Sequence, residues 1–363
     1  MKIFRNISLL ITAALLFPAC EKDEPAPPVV DPGHPDLVYD PTPYQLAIPA
    51  YFPLMEIPAD NPMTEEGVLL GRMLFYDPIL SGDSTLSCAG CHKQEFGFSD
   101  ENRFSTGIDD LQGDRQAMPV INIGWVSDLF WDGRAEGVEA QALGPVENPI
   151  EMHETWPNAM EKLKRHPDYP SLFYYAFGTW DITKEHAAKA IAQFERTLIS
   201  ADTRFDKKFY LFDTDPFLLT DEEVNGYDIF NTEKGDCFHC HSGSLLTDNL
   251  FHNNGLDEIP ADEGLGKVTG KASDRGKFKT PTLRNIALTA PYMHDGRFST
   301  LEEVVDFYSD GLQFSATIDP LMKNVHQGGL RLTEQEKADL VAFLHTFTDT
   351  AFVQRKEFSN PFQ

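Results

Sequence analysis

Two stretches of this chain decide its fold: Cys88-Ala89-Gly90-Cys91-His92 and Cys237-Phe238-His239-Cys240-His241. Both follow the pattern Cys-x-x-Cys-His, the attachment signature of c-type haem. Two thiols one helical turn apart can each bond a vinyl group on one edge of a porphyrin, and the next residue places an imidazole under the iron. The sequence therefore predicts two covalent haems, the first held by Cys88, Cys91 and His92 and the second by Cys237, Cys240 and His241.

Two other kinds of site use paired cysteines, namely zinc sites and redox dithiols. Zinc sites usually place their two pairs about 15–20 residues apart, whereas Cys88 and Cys237 lie 149 positions apart. A redox dithiol does not require a histidine after the second cysteine. The sequence therefore favours haem attachment over both alternatives.

The two motifs also divide the chain into two stretches of roughly 150 residues, a usual size for one domain. We expect two haem domains near residues 51–205 and 206–352, followed by a tail at 353–363. Strand signals are sparse, and residues 183–198 have the pattern of a helix. The predicted fold class is mostly α, with two cytochrome c-like helical domains that each hold one covalent c-type haem.

Capping-box pairs mark the starts of further predicted helices in the second stretch. Thr220 and Glu223 open a helix that leads to the second motif, with apolar residues at helical spacing at Val224, Tyr227 and Phe230. Thr333 and Glu336 open another, whose predicted buried face contains Leu340, Val341, Leu344 and Phe347. The latter resembles the C-terminal helix of cytochrome c domains.

The N-terminus has the pattern of an export signal. Lys2 and Arg5 precede a short apolar run, and Phe17-Pro18-Ala19-Cys20 resembles a bacterial lipobox. We expect residues 1–19 to be a lipoprotein signal peptide, Cys20 to carry lipid and residues 20–50 to form a proline-rich acidic tether. A buried N-terminal helix is the alternative. The expected location is the periplasm or the cell surface of a Gram-negative bacterium, with a membrane contact through the lipid anchor.

Composition narrows the choice of partners. The chain has 363 residues, of which 41% are hydrophobic, enough to bury a real core. It carries 30 Lys and Arg against 57 Asp and Glu, a formal net charge of −27. Such a surface repels phosphate backbones, so nucleic acid is excluded as the main partner.

Beyond the two haem motifs, five stretches resemble the bacterial di-haem cytochrome c peroxidases, a family that includes the MauG-type enzymes. These stretches are residues 70–77, 130–134, 144–152, 278–285 and 290–296. The resemblance implies an N-terminal haem that binds hydrogen peroxide and a C-terminal haem that receives electrons from a small donor protein such as cytochrome c. It leaves open whether the chain forms a homodimer.

The resemblance also assigns roles near the first haem. Gln141 and Glu151 match the distal-pocket pair beside the peroxidatic iron, and Trp131 matches the tryptophan between the two haems. A carboxyl group whose pKa is tuned by its pocket can move the proton that peroxide cleavage requires. Composition alone would favour an exposed loop glutamate at Glu151 and a core tryptophan at Trp131.

A first departure from the family pattern lies in the loop after the first motif. Many members carry a distal histidine there, which must leave the iron before peroxide binds. The matching loop, residues 104–110, has no histidine, and none occurs between His92 and His153. We therefore expect the first haem to be five-coordinate or water-bound without prior reduction. Met118 is the alternative ligand, although a role as apolar filler suits it better.

A second departure lies on the far side of the second haem. Where the peroxidases place a ligating methionine, this chain has Tyr308, which is the residue of the MauG-type enzymes. A phenolate ligand would lower the reduction potential of the iron. Met293 and Met322 are rival ligands, and a core tyrosine on a helix capped by Thr300 is the remaining alternative.

The resemblance further implies one calcium ion between the domains. Thr289 and Pro291 match positions whose backbone carbonyls bind it, and Gln116 replaces the matching asparagine. Three functions remain open at this point: a peroxidase, a MauG-type oxidase that uses peroxide to oxidise a partner protein, and a di-haem electron carrier without turnover.

Overall fold

The computed structural model describes residues 37–363 and, through its backbone, residues 29–30. The predicted signal peptide and the lipidation site Cys20 lie outside the described residues, as do residues 21–28 and 31–36 of the predicted tether. In the described part of the chain no helix is both long enough and apolar enough to cross a membrane.

The described chain is mostly helical, in agreement with the predicted fold class. Its helices are α1 Glu65–Tyr76, α2 Cys88–Cys91, α3 Val138–Glu147, α4 Trp156–Arg165, α5 Tyr169–Phe177, α6 Lys184–Thr197, α7 Arg204–Phe209, α8 Asp221–Phe230, α9 Leu265–Thr269, α10 Leu301–Asp310 and α11 Glu334–His345. We refer to the part with α1–α6 as the N-terminal half and to the part with α7–α11 as the C-terminal half.

The strands that the structure describes are two residues long and form three antiparallel pairs. They are β1 Val29–Val30, β2 Val38–Tyr39, β3 Asp128–Leu129, β4 Ala135–Glu136, β5 Phe251–His252 and β6 Phe278–Lys279. β1 pairs with β2, β3 with β4 and β5 with β6. Their registers pair Val29 with Tyr39, Asp128 with Glu136 and Phe251 with Lys279.

The N-terminal half is built on the crossing of α1 and α6. Gly71 lets the two backbones approach closely, because a Cβ at this position would lie 1.8 Å from the Ala190 carbonyl oxygen. Next to the crossing, the rings of Phe75 and Phe194 meet edge to face at 5.3 Å. Thr64 caps α1 by accepting a hydrogen bond from the Gly67 amide.

The C-terminal half repeats this arrangement with α8 and α11. A Cβ at Gly226 would lie 2.1 Å from the Asp339 carbonyl oxygen, and Phe230 meets Phe343 at 5.4 Å. The predicted capping boxes at Thr220 and Thr333 are both present. The predicted buried face of α11 is confirmed, whereas Val224 of α8 is 44% exposed because it points away from α11.

A shorter repeat links the halves beside the two motifs. Asp132-Gly133-Arg134 recurs as Asp295-Gly296-Arg297, and both copies precede a helix, α3 and α10 respectively. Asn122 and Asn285 each adopt a positive φ, 54° and 58°, and both side chains hydrogen-bond to Ser200. The two asparagines, one from each half, therefore contact the same residue, Ser200.

Apolar cores fill both halves. The N-terminal half buries a cluster around Leu70 and Trp156, and the C-terminal half buries one around Phe343 and Leu301. A third cluster contains Phe352 from near the C-terminus together with Phe75 and other residues of the N-terminal half. The last residues of the chain thus fold back onto its first half. The domain limits at 205 and 352 stay a prediction.

Candidate active site

The two Cys-x-x-Cys-His motifs are placed by the same local geometry. The first forms the short helix α2, and its histidine follows directly. The Nδ1 atom of His92 hydrogen-bonds to the Phe98 carbonyl oxygen at 3.0 Å, and that of His241 to the Leu246 carbonyl oxygen at 3.2 Å. A carbonyl partner at Nδ1 fixes the ring and leaves Nε2 as the ligating nitrogen.

The electrostatics of both motifs suit haem attachment. Burial lowers the pKa of His92, and it lowers that of His241 to about 4, so both imidazoles are neutral, as a metal ligand requires. Burial raises the pKa of Cys237 and of Cys240 to about 12. Thiols in such a setting are not the thiolates of a redox dithiol. The residues therefore fit the group that the motifs predict.

A cavity of about 490 Å³, here the first cavity, opens beside the first motif. Cys91 and His92 line it together with Gln141 from α3 and Glu151 from the loop after α3. The structure thus brings the predicted distal pair into one cavity with the predicted proximal histidine. Met118 also lines this cavity.

Glu151 is held in place from two directions. The Asn148 side-chain amide donates to its Oε1 at 2.6 Å, and the Glu151 carbonyl oxygen accepts from the Ile108 amide at 3.0 Å. Burial raises the pKa of the Glu151 carboxyl, and the hydrogen bond from Asn148 opposes this rise. A half-buried carboxyl with a raised pKa can both accept and return a proton.

No second histidine lines the first cavity among the described residues. The loop at 104–110 packs against residues 150–151, since a Cβ at Gly107 would lie 2.3 Å from the Ile150 carbonyl oxygen. His153 points elsewhere, because its side chain is 55% exposed and its Nδ1 pairs with Asp109. The coordination state of the first haem stays a prediction.

A second cavity, of about 240 Å³, lies beside the second motif, and Cys237, Cys240, His241 and Tyr308 line it. The Asn254 amide donates to the Tyr308 hydroxyl at 3.1 Å. Burial raises the pKa of Tyr308 to about 12, while the hydrogen bond from Asn254 lowers it.

The rival methionines line the second cavity as well. Met293 and Met322 both belong to its wall, and the Met293 sulfur lies 3.7 Å from the Asn254 amide nitrogen. Asn254 therefore contacts both Tyr308 and Met293. All three predicted ligand candidates, Tyr308, Met293 and Met322, therefore line the second cavity.

Trp131 lines both cavities and is 8% exposed. Its indole N–H donates to the Gln116 carbonyl oxygen at 2.8 Å, and its own carbonyl oxygen accepts from the Lys279 amide at 2.9 Å. The neighbouring Asp132 accepts from Arg115 at 2.6 Å. The ring is thus fixed between the two cavities, and its role as the tryptophan between the haems stays a prediction.

The predicted calcium residues also come together. Gln116, Thr289 and Pro291 line the second cavity. The Gln116 side-chain amide donates to the Ser99 hydroxyl at 2.8 Å, which orients its oxygen. An amide oxygen and backbone carbonyls are ligands that calcium favours, so the donor set fits the predicted ion.

Sequence reasoning missed two residues of these cavities, Asn148 and Asn254. Asn148 lies inside the family-like stretch 144–152, so the motif itself could have singled it out. Asn254 lies in no such stretch and becomes visible only through its contacts with Tyr308 and Met293. Lys279 is indicated by the sequence, because it belongs to a local basic cluster with Lys267, Lys271, Arg275 and Lys277, for which neutralisation of haem propionates and a solvated loop are equal alternatives.

Comparisons with known proteins agree with this geometry. The sequence profile of the family described as "Di-haem cytochrome c peroxidase" matches residues 65–211. The chain is 38% identical over 297 residues to the methylamine utilization protein MauG of Methylorubrum extorquens, covering 80% of each chain. It is 36% identical over 302 residues to the cytochrome c551 peroxidase of Nitrosomonas europaea, covering 82% of this chain and 84% of the relative.

Solved structures show the same fold. A MauG-like protein associated with microbial copper homeostasis superposes with a TM-score of 0.82 at 37% identity, over 88% of this chain and all of that one. The diheme peroxidase BthA of Burkholderia thailandensis superposes with a TM-score of 0.68 at 24% identity, over 80% of this chain and 87% of that one.

Proposed function

The chain belongs to the di-haem cytochrome c peroxidase family, and we propose on that basis that it reduces hydrogen peroxide to water with electrons from a cytochrome c or a similar donor. The observation that carries this proposal is the first cavity. There Glu151 and Gln141 share a wall with the predicted iron ligand His92, and no second histidine among the described lining residues competes for the iron.

The chain's own residues supply binding and proton transfer. Reduction of one peroxide to two waters consumes two electrons and two protons. The Glu151 carboxylate accepts the proton of the near peroxide oxygen and returns it to the far oxygen, which leaves as water. Asn148 holds the carboxylate in position, and the Gln141 amide offers a donor to the bound peroxide. The haems, held at His92 and His241, supply the redox chemistry itself.

Electrons enter through the C-terminal half and leave through the first cavity. Trp131, fixed by hydrogen bonds between the two cavities, relays them. Tyr308 would, with His241, hold the iron of the second haem, and the hydrogen bond from Asn254 would favour the phenolate that such ligation requires. One calcium ion, bound by Gln116, Thr289 and Pro291, ties the halves together.

Tyr308 favours a second candidate function, a MauG-type oxidase that uses peroxide to oxidise a partner protein. A tyrosine ligand lowers the potential of the second haem and so slows electron uptake from a cytochrome. The similarity to the protein named MauG supports this candidate.

We also infer that the chain is exported and anchored through lipid on Cys20, in the periplasm or at the cell surface. The short apolar segment after Lys2 and Arg5 supports this inference. In such a compartment two copies could pair as a homodimer, and the small donor protein would reach the second haem from solution.

One experiment tests these functions: hydrogen peroxide consumption with reduced cytochrome c, in the wild type and in Glu151→Gln. We expect rapid turnover that falls by about 10²–10⁴-fold in the variant, the usual contribution of a general acid–base group. Glu147→Gln is the matched control, because Glu147 is exposed at the end of α3 and lines neither cavity. Slow cytochrome turnover with retained oxidising equivalents would favour the oxidase. A protein that does not consume peroxide would be an electron carrier.

A further inference from the structure

Lys279 is a buried cation without a buried counter-charge. Three Lys or Arg side chains are buried in the described part of the chain: Arg196, Lys279 and Arg284. Arg196 pairs with Glu139 at 2.7 Å, and Arg284 pairs with Asp206 at 2.7 Å. Lys279, 4% exposed, has no carboxylate within ion-pair distance among the described residues. Because buried charges are normally paired, this exception points to a partner outside the polypeptide.

The surroundings of Lys279 leave its ammonium incompletely satisfied. Its Nζ donates to the Asn249 carbonyl oxygen at 3.0 Å and lies 4.5 Å from the centre of the Phe251 ring. An ammonium has three N–H donors, so at least one donor remains for another acceptor. Burial lowers the pKa of Lys279 to about 8, against the more distant charges of Asp128 and Asp248. A nearby anion would restore the charged form.

Lys279 faces both cavities. It belongs to the wall of the first cavity and to the wall of the second, and its backbone amide holds the carbonyl of Trp131. It reaches the first cavity from the C-terminal half, whereas Cys91 and His92 come from the N-terminal half. Groups bound in either cavity can therefore approach the Lys279 side chain.

We propose that Lys279 is the shared counter-ion of the haem propionates in the two cavities. A c-type haem bonds its cysteines through the vinyl edge and carries two carboxylates on the opposite edge. A haem anchored at Cys91 would carry its carboxylate edge on the side away from the motif, and Lys279 lies in the wall of the same cavity. This inference rests on the proposed function only in requiring that both haems are present.

The negative charge of the chain increases the electrostatic cost of placing further carboxylates in it. With a formal net charge of −27, the protein adds four propionates to an already negative molecule. Lys267 also lines the first cavity, but it is exposed, and solvent screens its charge. A desolvated ammonium acts on neighbouring charges more strongly because the local dielectric constant is low.

The test is the midpoint potential of each haem in purified holoprotein of Lys279→Met. Loss of a buried positive charge stabilises the ferric state, so we expect at least one potential to fall by about tenfold in the reduction equilibrium constant, about 59 mV for a one-electron couple. Lys279→Arg, which keeps the charge, should stay close to the wild type. Lys271→Met removes an exposed lysine that lines neither cavity and should change neither potential.

Unchanged potentials in Lys279→Met, with two haems per chain retained, would overturn the proposal and leave Lys279 a packing residue. Should Lys279→Met fail to fold, resonance Raman propionate bending modes of the wild type and Lys279→Arg provide the second measurement. A shift of these modes in the arginine variant supports contact with the propionates, and identical modes oppose it. Haem stoichiometry and peroxide turnover of the wild type are measured separately, so a failure of the proposed function is distinguished from a failure of this inference.

Discussion

Two local effects of opposite sign determine the pKa of the Glu151 carboxyl group. Burial in the first cavity raises its pKa, and the Asn148 amide, which donates to Oε1 at 2.6 Å, lowers it by stabilising the charged form. Since the raised pKa prevails, the carboxyl titrates at a higher pH than an ordinary glutamate. The peroxidase mechanism needs the ionised form to accept the first proton.

The direction in which replacement of Asn148 by leucine shifts the pKa of Glu151 can therefore be predicted. Without the amide donor the pKa of Glu151 rises further, and the ionised form is lost at a higher pH as the solution is acidified. We expect the acidic limb of kcat/KM for peroxide in Asn148→Leu to move to higher pH, with activity retained above it. A pH profile of steady-state turnover measures this shift.

Asn158→Leu provides the control for this profile. Asn158 donates to Glu154 at 2.8 Å in the same kind of pair, but neither residue lines a cavity. Its acidic limb should coincide with that of the wild type. An unmoved or acid-shifted limb in Asn148→Leu would show that Glu151 is not the group that controls the rate.

At the residue scale, the sequence predicts the site residues that belong to a recognisable motif. It misses the residues that enter the site only through contacts between distant parts of the chain. Cys91 and His92 belong to the first haem motif and Glu151 to a family-like stretch, and all three line the first cavity. Lys279 lies in such a stretch too, but its burial and the lack of a carboxylate partner are consequences of packing between the halves. A sequence does not reveal a missing ion pair.

Among the helices, the crossings of α1 with α6 and of α8 with α11 are the features that both halves share. Each crossing depends on one glycine at which the partner backbone comes close. In helices a glycine costs about 1 kcal/mol relative to alanine, so its presence at Gly71 and Gly226 reflects close packing rather than helix propensity.

Gly71→Ala should therefore destabilise the protein despite the better helix propensity of alanine. The new Cβ would lie 1.8 Å from the Ala190 carbonyl oxygen, a backbone atom that can move only with its helix. We expect the free energy of unfolding to fall by about 1–3 kcal/mol, the usual cost of overpacking. Denaturant unfolding of the holoprotein measures it.

Gly144→Ala tests whether a glycine-to-alanine change within a helix destabilises the protein by itself. Gly144 lies within α3, and a Cβ there would meet Phe130 only at 3.5 Å, an ordinary van der Waals contact. This variant should be neutral or more stable by up to about 1 kcal/mol. Equal stability of the Gly71 and Gly144 variants would mean that the α1–α6 crossing can relax at no cost.

The helices that the sequence predicts are those with a capping box or a clear apolar face, such as α8, α10 and α11. Their starts at Thr220, Thr300 and Thr333 are confirmed. α4 and α5 were not predicted, because Pro157 and Pro170 interrupt the pattern of helix formers. Both prolines lie in the first helical turn, where no backbone amide hydrogen is needed, so the helices form around them.

For the whole molecule, the end of the chain joins the two halves. Phe352 and Phe358 are buried in a cluster of the N-terminal half. Tyr76 of α1 donates to the Phe358 carbonyl oxygen at 2.6 Å, and Arg72 donates to the Ser359 carbonyl oxygen at 2.8 Å. The predicted tail is therefore a packed part of the N-terminal core. Its partners lie far away in sequence, which is why no local pattern indicates them.

Phe352→Ala should accordingly destabilise the N-terminal half, although Phe352 is distant from it in sequence. The ring is fully buried and meets Phe98 at 5.7 Å, so its removal leaves a cavity worth about 3–5 kcal/mol. We expect amide hydrogen exchange to accelerate in α1 more than in α8, although Phe352 follows the C-terminal half. Exchange measured by mass spectrometry on the holoprotein resolves the two helices.

Phe217→Ala is the control, because Phe217 is 90% exposed and its loss should leave exchange in both helices unchanged. Equal acceleration of α1 and α8 in Phe352→Ala would mean that the halves unfold as one cooperative unit. Acceleration confined to α8 would contradict the packing of the chain end on the N-terminal half. Selective acceleration in α1 would mean that the stability of the N-terminal half depends on the packing of Phe352 against it.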